Sequence, residues 1–125
     1  MPQTRLTWCR QMLIPMVGAL ASSVGVQAAE LTFDLKIEHE QVAQNMRLIR
    51  VKQLDVVKLR WGTDQPLTLH LHGYDIEQKV EAGTIAEMKF TARATGRFTV
   101  EPHIGKTPSG GHAHGDVLVT IEVYP

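Results

Sequence analysis

From Leu31 to Ile37 every second residue is apolar: Leu31, Phe33, Leu35 and Ile37, with Thr32, Asp34 and Lys36 between them and Glu38 after. Successive side chains of a β-strand point to opposite faces, so this spacing makes one dry face and one wet face. The same period returns in Leu67, Leu69 and Leu71, and again in Val117, Val119, Ile121 and Val123. Shorter apolar runs lie between, at 46–51, 56–61, 85–90 and 98–100. The breaks carry turn formers: Gly62 to Pro66, Gly73, Glu81-Ala-Gly83 and Thr95-Gly96. Residues 38–53 have no caps and no sustained 3.6 period, and read as a loop entering a strand. The spacing predicts about seven short strands in an all-β chain, folded as a small Greek-key β-sandwich.

The first 28 residues do not share this pattern. Arg5 and Arg10 stand without an acid in a short polar stretch, Met12 to Ala21 is almost wholly apolar, and small residues follow. That order predicts a signal peptide over 1–28, cut after Ala28, and a single domain over 29–125. The apolar stretch is too short for a membrane span, which needs about 20 residues, and Pro15 interrupts it. The exported part has no membrane span and is placed in the periplasm or secreted. It loses the single cysteine, Cys9, and two of the 13 basic residues, against 13 acidic ones. Without a basic face the chain is not expected to bind nucleic acid. Without a cysteine it has neither a thiolate nucleophile nor a thiolate metal ligand.

Five of the six histidines fall in three short motifs. In His70-Leu-His72-Gly73 the two imidazoles share a strand face, about 6.6 Å apart along it and opposite Leu69 and Leu71. Glu101-Pro102-His103 follows the 98–100 run, and Pro102 is expected to end the ladder there. Gly110-Gly-His112-Ala-His114-Gly-Asp116 lies in the longest predicted loop, 105–115, where a short His-rich tract is a metal-binding composition. Any one motif fits a wet strand face or a solvated loop. Their combination singles out His70, His72, His103, His112 and His114 as candidate metal ligands, with Glu101 and Asp116 behind them. His39 is isolated. No catalytic constellation stands out: the one serine after residue 28 is Ser109, with no nucleophile elbow around it, and the chain is not expected to be an enzyme.

From Met46 to Tyr124 the chain resembles the cupredoxin-like family. Met46-Arg-Leu-Ile-Arg-Val-Lys52 and Val56-Val-Lys-Leu-Arg-Trp61 look like the paired early strands of that fold. Asp64 to Asp75 resembles the segment that carries the first histidine ligand of those proteins, and Thr107 to Asp116 matches the loop that holds the rest. The departure is chemical. Blue-copper loops use a Cys, then a His, then usually a Met; here Thr107 stands near the thiolate position and Asp116 where Met is common. A blue electron-transfer centre needs the thiolate. His-x-His-Gly also looks like a multicopper oxidase motif, but those enzymes need several copies over a longer chain. The resemblance therefore implies a thiolate-free, His-rich site for copper, with zinc as a second ion the ligands suit, in a protein that stores, carries or buffers metal. The alternative is a metal-free cupredoxin-fold module that docks a periplasmic or membrane partner through an open sheet edge.

Overall fold

A computed structural model describes residues 18–22, 28–106 and 112–125. Residues 1–17 and 23–27 of the predicted signal peptide, Cys9 among them, lie outside the described residues. Among the described residues no helix is long and apolar enough to cross a membrane.

The strands are β1 (Glu30–Glu38), β2 (Gln41–Val42), β3 (Leu48–Lys52), β4 (Val56–Thr63), β5 (Leu67–Leu71), β6 (Ile76–Val80), β7 (Ala86–Thr91), β8 (Gly96–Lys106), β9 (His112–His114) and β10 (Val119–Tyr124). They form two sheets. One has four strands in the order β2-β1-β4-β7; the other has six, β3-β10-β8-β5-β6, with β9 beside β8. β1 runs parallel to β4 and β3 parallel to β10, while the other pairs are antiparallel. This is the expected all-β sandwich, and its dry faces meet as the alternation requires. Leu35, Ile37, Val57, Leu59, Trp61 and Met88 come from one sheet; Ile49, Val51, Leu69, Leu71, Val100, Ile121 and Val123 come from the other. All are buried. Each fully buried aliphatic side chain contributes about 1.5–3 kcal/mol.

The differences from expectation are local. Ten strands are described instead of about seven. β2 is two residues long, and only a 3-10 turn at Gln44–Met46 separates it from β3 in the stretch read as a loop. β6 is an edge strand whose Glu77, Gln78 and Lys79 hide its period. Polar residues on an edge discourage pairing with other chains, and they also erase the signal that would reveal the strand.

Near the C-terminus, Val117 is exposed and Leu118 is buried, reversing the simple alternation. Leu118 N–H donates to the Val100 carbonyl at 2.9 Å, while Val119 is the ladder partner of Val100. Two residues thus oppose one, a β-bulge that turns both Leu118 and Val119 inward.

Pro102 does not end the ladder: β8 continues to Lys106, with Leu69 opposite Pro102 and Thr68 opposite His103. In a strand the N–H and C=O of one residue share an edge. The Pro102 carbonyl accepts from Gly115 N–H at 2.8 Å, so the missing donor faces the bend between β9 and β10 and not β5. The predicted 105–115 loop is in part a hairpin, because β9 pairs with β8. Residues 107–111 lie outside the described residues.

Candidate metal site on the outer sheet face

β5 and β8 are neighbours in the middle of the six-stranded sheet, with His70 opposite Glu101. Leu69, Leu71 and Val100 point inward and are buried. The alternate residues therefore share the outer face: Thr68, His70 and His72 from the β5 side, and Thr99, Glu101 and His103 from β8. His72 stands one residue past β5, yet its N–H donates to the Thr99 carbonyl at 2.9 Å and extends the ladder. The turn that follows needs its glycine. Gly73 has φ +87°, and a Cβ there would sit 2.4 Å from Phe98 Cδ1. Asp75 closes the turn at φ 54°, a conformation Asp tolerates better than most residues.

This register brings together three of the five candidate histidines. The rings of His70 and His72 are tilted against each other with centroids 4.2 Å apart. His70 meets His103 edge-on at 5.3 Å. Only 16% of the His70 side chain and 14% of that of His103 are exposed, so the rings are mostly covered although they lie outside the core. Two imidazoles that share an ion through bonds of about 2 Å bring their rings within roughly 6 Å, and both separations are inside that reach.

A carboxylate attends each ring. Glu101 Oε2 lies 2.9 Å from His72 Nε2, and its Oε1 accepts from Thr99 Oγ1 at 3.2 Å. Asp75 Oδ1 is 3.4 Å from His70 Nε2, and Glu77 Oε1 is 3.7 Å from His103 Nε2. His70, His72, Glu101 and His103 each have contacts beyond these. Glu77 and Asp75 were not legible as site residues in the sequence; the β5–β6 register, which sets Glu77 opposite His70, is what places Glu77 there.

The remaining candidates stand apart in kind. β9 sets His114 at the ladder position opposite His103 and His112 opposite Lys106, with an irregularity between His103 and Gly105. The side chains of His112 and His114 lie outside what the structure describes. Asp116 is exposed on the bend after β9 and lines a pocket of about 320 Å³ at the sandwich end, with Glu40, Asp64 and His103. Among the described residues no three His, Cys, Asp or Glu side chains are placed to hold one metal ion. Imidazole is a donor that copper accepts, but His70, His72 and His103 as they stand do not converge on one ion.

No protein-family model matches the sequence, and no curated protein matches it. Solved structures do. A copper binding protein, determined in solution in the apo form, superposes with TM-score 0.59 at 9% identity, over 78% of this chain and 91% of that one. The periplasmic domain of cytochrome oxidase subunit II (CoxB) of Bradyrhizobium japonicum gives 0.56 at 15%, over 79% and 87%. The multicopper oxidase mgLAC gives 0.55 at 23%, over 78% of this chain but 39% of its own. These share the cupredoxin fold, and at such identities the likeness is one of architecture. The strand pairing and these neighbours agree with the resemblance drawn from residues 46–124: the chain has a cupredoxin-like fold, and its only cysteine, Cys9, stands before the first described strand.

Proposed function

We propose that this is an exported copper-binding protein, with a leader over 1–28 and a domain over 29–125, that stores, carries or buffers the ion in the periplasm or outside the cell. The observation that carries the reading is the contact of His70 with both His72 and His103 on the outer face of the six-stranded sheet. Ring packing of this kind adds nothing to the core, which Leu69, Leu71 and Val100 fill from the opposite face. Imidazole donors without a thiolate suit Cu(II), and a pair or trio of them also holds Cu(I). Likeness to a copper binding protein favours copper over zinc. His114, at the ladder position opposite His103, is the residue proposed to complete the ligand set, with His112 next in the same strand. The role is binding; the site offers no group assigned to chemistry on a substrate.

The test is a competition titration of the full chain against a chelator, with Cu(II) and then with Cu(I) under reductant. One copper bound per chain, lost in both His70→Ala and His103→Ala, is the expected result. Zinc is run in parallel and should compete poorly. Binding no tighter than that of an unstructured histidine peptide overturns the reading, and leaves the fold as a metal-free module for a periplasmic or membrane partner.

A further inference from the structure

Resting on the leader proposed for residues 1–28, and not on the metal, we propose that Asp55 captures the amino terminus that cleavage after Ala28 creates, so that processing locks the fold with an ion pair. Ala28 and Ala29 are exposed and lie just ahead of β1, where a peptidase can reach the bond between them. Water added across that bond leaves Ala28 as a carboxylate and sends its two protons to the Ala29 nitrogen, which becomes an ammonium. That nitrogen already has its place: in the uncut chain its N–H donates to Asp55 Oδ1 at 3.3 Å. The Ala29 carbonyl accepts from Val56 N–H at 2.9 Å, and Glu30 follows as the ladder partner of Val56, so Ala29 is held through both its main-chain groups.

Among the described residues Asp55 is the only ionisable one that is buried, at 8% exposure. It forms no ion pair with any of them. Its carboxylate accepts from two main-chain amides, Ala29 N–H at Oδ1 and Lys52 N–H at Oδ2, the second at 2.9 Å. A buried charge is ordinarily paired with an opposite one. Cleavage supplies the cation at Oδ1 with no change of partner, and a hydrogen bond from a charged donor is roughly twice as strong as a neutral one. Glu30, the next acid along the chain, is already engaged, with Lys58 at 3.2 Å and Lys89 at 4.0 Å. Asp55 also stands on a fixed frame. Leu54 N–H donates to the Ala92 carbonyl at 2.7 Å and Ala92 N–H to the Asp55 carbonyl at 2.8 Å, which ties the β3–β4 turn to the residue after β7. The new ammonium thus pins the start of β1 to that turn.

The test is made on the exported protein. The full chain is expressed with its leader, the exported product is purified, and its first residue is read by mass spectrometry, with Ala29 expected. Its α-amine is then converted to a ketone by transamination, which removes the charge and spares the lysines. The conversion should lower the melting temperature by about 4–8 °C. In Asp55→Asn, which keeps a carbonyl acceptor, it should lower it by less than about 1 °C. If Asp55→Asn does not fold, the wild-type product decides alone. A carboxylate beside an amine favours the ammonium, so by NMR the α-amine should titrate above the ordinary range of an amino terminus. An equal melting loss in the wild type and Asp55→Asn, or an α-amine that titrates at its ordinary value, would overturn the ion pair and leave the leader standing. A product that begins at another residue would overturn the leader boundary and the pair together. None of these outcomes bears on the copper titration, which tests the metal reading by itself.

Discussion

The two faces of the central strands β5 and β8 are one residue apart and opposite in character. Inward, Leu69, Leu71 and Val100 are fully buried among aliphatic neighbours. Outward, His70, His72, Glu101 and His103 pack rings and carboxylates against one another. The backbone ladder that holds the first set in the core sets the spacing of the second. On the proposed function, stability and binding are carried by alternate residues of the same strands, and substitution should separate them.

The largest effect should come from the inner face. Leu71→Ala leaves a cavity between the sheets and should cost about 2–5 kcal/mol of stability, read from denaturant unfolding. Next is His70→Ala on the outer face, the residue in contact with both other rings. It should weaken copper binding by about a hundredfold, close to 2.7 kcal/mol, while the metal-free protein changes by less than about 1 kcal/mol. An unfolding midpoint that falls as far as in Leu71→Ala would erase the distinction between the faces. Gly73→Ala joins the two, because its Cβ would strike Phe98 on the inner side and shift His72 on the outer side. It should lose roughly 1–3 kcal/mol of stability and weaken copper binding together with it. The smallest effect belongs to Asp75→Asn, which removes the charge and keeps a residue that tolerates φ 54°: the side chain is 99% exposed, so stability should move within about 0.5 kcal/mol and copper affinity by no more than a few-fold. A loss of copper affinity equal to that of His70→Ala would contradict this ranking by exposure.

Much of this was legible in the sequence because period two is read without knowing the fold. The alternation of Leu69, His70, Leu71 and His72 already put both imidazoles on the face opposite the leucines, and the structure agrees. That His103 joins them depends on which strand pairs with β5, a long-range register that local pattern does not contain. Pro102 has the look of a terminator, which hides from the pattern that β8 runs on through His103. The proline is tolerated because its missing donor faces a bend. The polar run Glu77-Gln-Lys79 on this edge strand carries no apolar period, so neither β6 nor the place of Glu77 opposite His70 is legible in the pattern. The bulge at Leu118 could not be read from alternation, since a bulge is where alternation breaks.

The most direct test of a copper site on the outer sheet face is ¹⁵N NMR of the imidazoles on adding one equivalent of Cu(I), which is diamagnetic and leaves every histidine observable. The account predicts large ring-nitrogen shifts for His70, His72, His103 and His114, and none for His39 in the β1–β2 turn. Shifts confined to the 112–114 motif, with the β5 and β8 histidines unmoved, would contradict it.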